Sequence, residues 1–173
     1  MKIEDIKKLA LSIDGDILFD QSIKNFNWFN IGGKVKIFFK PNSLKGLIKY
    51  LKLYALRGKI FVLGNGSNVL FDDETYDGTI IKLGKNFSNV SLLDNNTVIA
   101  GTAASQKIVS EFARINCISG LEFMSCIPGS IGGGIRMNSG CFDREFKDIL
   151  ISIQTIDFNG NVKSIPVNKI KFN

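Results

Sequence analysis

The chain has 173 residues, 45% of them hydrophobic and 22% charged, with a formal net charge of +6. This length suits one ordinary domain or two small subdomains, and the composition excludes wholesale disorder, collagen-like repeats and coiled coils. Histidine is absent, which excludes Ser-His-Asp and Cys-His nucleophilic arrangements and every His-ligated metal site.

The first segment carries Ile3, Ile6, Leu9, Ala10 and Ile13 at helical spacing and ends in an Asp14-Gly15-Asp16 turn. A loop with Asn25, Asn27 and Asn30 leads through Ile31-Gly32-Gly33 into a strand carrying Val35, Ile37 and Phe39. Pro41-Asn42-Ser43 stops that strand, and Ser43 is placed to cap the next helix. The helix presents Leu44, Leu47, Ile48, Leu51 and Ala55 on one face, with Gly58 as its stop. Ile60-Phe61-Val62-Leu63 reads as a fully buried strand of a parallel sheet. The first half is therefore expected to be a β-α-β unit.

The second half reads differently. Asp94-Asn95-Asn96 separates two β-prone runs, and Ser105 caps a helix carrying Ile108, Val109, Phe112 and Ala113. Residues 149–158 alternate in part, and Asn159-Gly160 predicts a two-residue hairpin turn into Val162 to Ile165. Antiparallel pairing is expected to dominate, giving an α+β protein of two subdomains, 1–85 and 86–173, with the boundary near Gly84 to Ser88.

Two glycine-rich segments are the candidate sites. Gly64-Asn65-Gly66-Ser67-Asn68 directly follows the Ile60–Leu63 strand. Successive backbone N–H groups in such a stretch can turn toward one point and make a nest for phosphate oxygens. The Ser67 hydroxyl and the Asn65 and Asn68 amides add uncharged donors. The spacing is neither that of a dinucleotide fingerprint nor that of a P-loop, and no helix opens where a fingerprint requires one. A pyrophosphate loop here would join two strands, and a plain Asn/Gly turn between strands is the competing reading. The second segment, Ile127-Pro128-Gly129-Ser130-Ile131-Gly132-Gly133-Gly134, continues to Met137-Asn138-Ser139-Gly140. So many glycines are usually kept where something approaches the backbone closely, such as a flat ring system. A tight loop beside a glycine-softened helix start is the alternative. The two segments together point to a dinucleotide cofactor.

The excess positive charge is dispersed, without a basic run interleaved with aromatics, and reads as a solubility feature rather than a nucleic-acid surface. Cys117, Cys126 and Cys141 lack a C-x-x-C pair and read as reduced thiols. No apolar run approaches the ~20 residues that span a bilayer. No signal peptide is visible, so the expected compartment is the cytoplasm.

Four motifs carry a family resemblance. Ile31-Gly32-Gly33 before a strand ending in Pro41, Val62-Leu63-Gly64-Asn65-Gly66-Ser67-Asn68, Gly120-Leu121-Glu122-Phe123, and Ile127 to Gly133 with Met137-Asn138-Ser139-Gly140 stand in that order. Together they resemble the UDP-N-acetylenolpyruvoylglucosamine reductases (UDP-N-acetylmuramate dehydrogenases), flavoenzymes of bacterial cell-wall precursor synthesis. The resemblance runs from about Asn25 onward. It implies a vanillyl-alcohol-oxidase-type (PCMH-like) fold with FAD between two α+β subdomains. It implies that Gly64, Asn65, Gly66, Ser67 and Asn68 hold the FAD pyrophosphate. Ile127, Pro128, Gly129, Ser130, Gly132, Gly133, Asn138 and Gly140 would line the adenine-to-flavin path. In the family NADPH reduces FAD, and hydride then passes to UDP-N-acetylglucosamine enolpyruvate to give UDP-N-acetylmuramate.

The same resemblance implies a third, UDP-sugar-binding domain. It also implies a catalytic arginine in a Tyr-Arg-x-Ser stretch, a Ser or Cys proton donor and a late glutamate, all aligning beyond Asn173. No catalytic residue is therefore assigned here, Arg136, Ser139 and Cys141 included. These residues are expected to hold FAD without turning over. Asn27 and Asn30 stand where the family commonly has Thr and Arg. Two other readings stay open: another FAD-linked oxidase of the same fold, and a non-catalytic nucleotide-binding module.

Overall fold

A computed structural model describes residues 12–54 and 58–172. The helix expected over Ile3 to Ala10 lies outside the described residues. Two compact units are present, one of residues up to Gly84 with Ile156–Lys163, the other of Lys85–Thr155 with Ser164 onward.

The first unit is built on a four-stranded sheet of order β1-β2-β4-β3, from β1 (Gly15–Ser22), β2 (Lys34–Pro41), β3 (Lys59–Val62) and β4 (Tyr76–Ile81). The Asp14-Gly15-Asp16 turn is corrected: the turn lies at residues 12–14, and Gly15 already opens β1, antiparallel to β2. The alternating burial of Gly15–Ser22 is the period-2 signal of a half-covered strand. Helix α1 (Leu44–Tyr54) follows β2. The Ser43 hydroxyl accepts the Gly46 N–H at 3.1 Å and also bonds the Asp14 carboxylate, so the cap ties α1 to the start of β1.

The buried face of α1 is Leu47, Tyr50, Leu51 and Tyr54, whereas Leu44 is exposed. Tyr50 stacks on Phe39 at 4.2 Å between centroids and packs against Tyr54 at 4.7 Å. On β2 the adjacent Phe38 and Phe39 point to opposite faces of the sheet, as consecutive strand residues must. Phe38 joins Ile23, Val35, Leu63 and Ile80 in a second core on the other face, where Phe26 stacks on it at 4.5 Å.

Strands β2, β4 and β3 are mutually parallel, as β-α-β connectivity requires. The expectation of a fully buried Ile60–Leu63 strand is corrected: β3 is the sheet edge and Val62 is 62% exposed, with Leu63 alone deeply buried. An apolar run does not distinguish an edge from a centre. The later strand β4, not β3, is inserted beside β2.

The second unit holds the hairpin β5 (Val90–Asp94)–β6 (Thr97–Ala100), helix α2 (Gln106–Ile115), a 3₁₀ turn over Glu122–Cys126 and helix α3 (Ile131–Met137). The short strands β7 (Gly140–Cys141) and β8 (Arg144–Glu145) and the single turn α4 (Phe146–Ile149) follow. Ser105 caps α2 by accepting the Ile108 N–H at 3.2 Å. Ala104, Val109, Phe123, Met124, Ile131 and Phe146 form the core, with Phe123 edge-on to Phe146.

Strands β9 (Ser152–Ile156) and β10 (Val162–Pro166) make the last hairpin. Its connection is not the expected two-residue turn. Asp157 N–H donates to Asn161 C=O at 3.0 Å around Phe158, Asn159 and Gly160, and Gly160 takes φ +77. The Asp157 carboxylate accepts the Asn159 and Asn161 N–H groups at 2.9 Å. That side-chain cap favours the longer loop over an Asn-Gly turn.

Burial pushes the Tyr50 phenol well above its ordinary pKa, so at neutral pH it is a neutral partner in its 2.7 Å hydroxyl–hydroxyl bond with Thr79. Tyr50→Phe leaves the Thr79 hydroxyl unpaired in the core and is expected to lower stability by about 0.5–1.5 kcal/mol, read by urea unfolding.

Candidate functional site

The Gly64–Asn68 loop leaves the carboxyl end of β3 and runs into residues 69–75 and then β4, with no helix between. It therefore joins two parallel strands at the sheet's carboxyl edge, where open α/β sheets bind ligands. Its conformation is set from behind. Gly66 is buried with φ +73, and a Cβ there would run into the Phe26 carbonyl oxygen. Trp28 N–H donates to the Gly66 carbonyl at 3.2 Å. Only glycine meets both the left-handed backbone and the close approach.

The backing segment is itself rigid. Asn27 is buried; its Nδ2 donates to the carbonyls of Ile31 at 2.8 Å and Ile23 at 3.2 Å, while its Oδ1 accepts the Phe29 N–H at 3.1 Å. Gly33 N–H donates to Asp72 C=O at 2.9 Å and fastens the far end of the same layer. Asn27 thus serves as a strut behind the glycine loop.

The front of the loop is open. Among the described residues, none of the backbone N–H groups of Gly64, Asn65, Gly66, Ser67 and Asn68 donates to a protein acceptor. The side chains of Asn65, Ser67 and Asn68 likewise have no protein partner; Asn65 and Asn68 are exposed and Ser67 half-buried. Consecutive free donors on a fixed backbone can form an anion-binding concavity.

Sequence reasoning missed the charge beside it. Lys82, one residue past β4, donates from Nζ to the Gly64 carbonyl at 2.5 Å. Burial lowers its pKa, and the like charge of Lys40 lowers it further. Lys40, on the adjacent β2, holds its ammonium 5.4 Å from the Phe26 ring centroid. Two lysines of a dispersed set therefore meet at one sheet edge. The available signal was a lone cation inside the apolar run Thr79-Ile80-Ile81-Lys82-Leu83.

The second segment is organised otherwise. From Ile131 onward it is helix α3, with Ser130 as N-cap accepting the Gly133 N–H at 3.3 Å, so these residues form the glycine-softened helix start of the alternative reading. Ile131 N–H donates to Ala104 C=O, and Gly132 N–H to Thr102 C=O, both at 2.8 Å. A Cβ on Gly132 would collide with the Thr102 hydroxyl, and one on Gly134 with the Phe146 ring. These glycines let the helix dock against its own unit. The N–H groups of Gly129 and Ser130 remain without a protein acceptor among the described residues. Ile127 and Gly129 are half-buried, and Pro128 is exposed.

Asn138 takes φ 44 at the end of α3. Its Nδ2 donates to the Glu145 carboxylate at 2.9 Å and its Oδ1 accepts the Lys147 N–H at 3.0 Å, so its side chain is committed within the unit. Gly140 pairs with Glu145 in the β7–β8 ladder. Both Glu122 carboxylate oxygens accept the Gly120 N–H, at 2.8 and 3.0 Å; the acid's own backbone N–H, and after it that of Gly120, keep it below its ordinary pKa. The Gly120–Phe123 motif therefore starts a 3₁₀ turn and buries Phe123.

Residues 35–165 match the FAD binding domain family model. The chain belongs to the FAD binding domain family. It is 54% identical over 172 residues to the UDP-N-acetylenolpyruvoylglucosamine reductase of Pelagibacter ubique (strain HTCC1062), covering 99% of this chain and 57% of that protein. It is 39% identical over 160 residues to the enzyme of that name from Rickettsia bellii (strain RML369-C), covering 92% of this chain and 53% of that protein. The chain thus spans little more than half the length of these curated relatives.

Among solved structures, a UDP-N-acetylenolpyruvylglucosamine reductase from Thermus caldophilus aligns over 92% of this chain and 55% of its own, with TM-score 0.75 and 23% identity. A 6-hydroxy-D-nicotine oxidase from Arthrobacter nicotinovorans aligns over 92% of this chain and 37% of its own, with TM-score 0.66 and 15% identity. The α+β fold is therefore the vanillyl-alcohol-oxidase-type FAD fold, which serves reductases and oxidases alike.

Gly66→Ala combines left-handed strain of ~1–2 kcal/mol with a backbone clash of the kind that costs roughly 1–3 kcal/mol. A stability loss of that combined order, read by chemical unfolding, is expected. Asn68→Ala, at an exposed position, should leave stability unchanged.

Proposed function

We propose that these residues are the FAD-holding part of a UDP-N-acetylenolpyruvoylglucosamine reductase, with Gly64, Asn65, Gly66, Ser67 and Asn68 receiving the FAD diphosphate. The observation that carries the reading is the run of loop amides without protein acceptors, backed rigidly by Phe26 and Asn27 and flanked by Lys82. The loop suits that group in kind. A diphosphate offers several acceptor oxygens and negative charge, and the loop offers several donors and a nearby cation. Ile127, Pro128, Gly129, Ser130, Gly132, Gly133, Asn138 and Gly140 complete the proposed contact set. Within it, Gly129 and Ser130 have main-chain donors to spare, while Gly132 and Asn138 act by shaping their own unit.

Bound FAD supplies hydride acceptance from NADPH and hydride donation to the enolpyruvyl double bond of UDP-N-acetylglucosamine enolpyruvate. The chain's own part is binding and orientation. Lys82 neutralises diphosphate charge and fixes the Gly64 peptide, and the glycine loop holds the diphosphate without a mobile side chain. On this reading the two units would serve as the two FAD-binding subdomains, with Ile156–Lys163 belonging to the first. The resulting UDP-N-acetylmuramate belongs to peptidoglycan precursor synthesis, and the cytoplasm is the proposed compartment. No helix of the described residues is long and apolar enough to cross a membrane.

Flavin titration of the 173-residue chain tests the reading. FAD is expected to bind and riboflavin, which lacks the diphosphate, to bind at least about a hundredfold more weakly, since two lost charge-assisted hydrogen bonds amount to roughly 3 kcal/mol. Equal affinity for both flavins would refute the diphosphate assignment. Lys82→Met is expected to weaken FAD about tenfold, the equivalent of ~1.4 kcal/mol, without loss of folded stability. Nicotinamide oxidation dependent on the UDP-sugar is expected of the full-length protein and not of these residues alone.

A further inference from the structure

Cys126 and Cys141 bracket the second glycine segment, which occupies residues 127–140 between them. The fold brings the elements that end at these two residues together. The 3₁₀ turn that ends at Cys126 packs on β7, which ends at Cys141. The Cys126 and Cys141 side chains neighbour one another, and the Cys126 thiol reaches the Phe123 carbonyl at 3.3 Å. Cys126 is exposed, while Cys141 is half-buried against the core around Phe123, Met124 and Phe146. Cys117, beyond the end of α2, is exposed, and among the described residues no hydrogen bond or disulfide ties it to either of the others.

We propose that Cys126 and Cys141 form a peroxide-sensitive dithiol whose oxidation to a disulfide cross-links the two ends of the glycine segment. The exposed Cys126, as thiolate, attacks hydrogen peroxide, giving Cys126–SOH and hydroxide. The Cys141 thiol then attacks that sulfur; the S–S bond forms and the sulfenic oxygen leaves as water. Two thiols lose two electrons and two protons, and one peroxide becomes two waters. Cys141 suits the resolving role. It is half-buried against the core beside the exposed Cys126, so bulk peroxide meets Cys126 first and Cys141 is left as the adjacent thiol. The cross-link closes a short loop, so it restrains α3 and the turn that follows it. Its bearing on the cofactor rests on the FAD reading above; the cross-link itself does not.

The test treats the full chain carrying Cys117→Ser with graded hydrogen peroxide and reads intact mass, free thiols and peptide linkage. The expected result is a mass loss of about 2 Da, two hydrogens, with both thiols disappearing together. The linked peptides should contain Cys126 and Cys141, and dithiothreitol should reverse the change. Cys141→Ala should instead yield a Cys126 sulfenic acid trapped by dimedone. Wild-type chain measured in parallel guards against a folding defect in either variant. Sequential oxidation to sulfinic acids without a cross-link, or cross-links only between molecules, would overturn the proposal.

FAD release is then compared for the reduced and oxidised forms. Slower release from the disulfide form is expected, and equal rates would overturn the link to the cofactor. Failure of FAD to bind either form would instead count against the reading of the glycine loop, while the mass and thiol results stand by themselves.

Discussion

The proposed site depends on one close contact, that of Gly66 against the backbone of Phe26 and Asn27. A loop of glycine, serine and asparagine left alone would satisfy its N–H groups within its own turns or with water. Here the Trp28 N–H occupies the Gly66 carbonyl, and the Phe26 carbonyl stands where any side chain would have to go. The Gly66 carbonyl is therefore turned to the backing segment, and among the described residues the loop's N–H groups have no protein acceptor. Asn27 keeps the backing rigid by closing its own loop through both ends of its amide. The proposed anion site would be a consequence of packing behind the loop, not of any group in front.

Electrostatics adds to that geometry without dominating it. Lys82 is half-buried, and its cost of desolvation is offset by a charge-assisted bond to the Gly64 carbonyl. The same bond orients the peptide that begins the loop. An arriving diphosphate would meet neutral donors held in place and one cation already immobilised. That arrangement limits the entropy lost on binding.

The two glycine-rich segments have similar compositions and opposite uses. In Gly64–Asn68 glycine permits a left-handed turn and leaves donors unsatisfied. In Ile131–Gly134 it removes side-chain bulk so that a short helix can lie against Thr102 and Phe146, and the amides are consumed by Ala104, Thr102 and Ser130. Their shared composition reports only that something comes close. In the first segment that is the backbone of Phe26 and Asn27, behind the face proposed for the cofactor; in the second it is Thr102 and Phe146.

Short-range chemistry was legible in the sequence. Ser43 and Ser105 as caps, the break at residues 94–96, and the absence of a helix after Asn68 all rest on interactions spanning a few residues, which local pattern encodes. The order of motifs identified the family. What the sequence did not decide was set by contacts distant along the chain. Strand β1 is recognised as such only because β2 accepts its hydrogen bonds, and β3 is an edge because β4 takes the place beside β2. Lys82 and Lys40 meet only once their strands are paired, and Cys126 meets Cys141 only once β7 packs on the 3₁₀ turn. Residue types and spacing determine what a backbone segment can do locally; which of its donors stay free depends on which distant atoms have already satisfied the others.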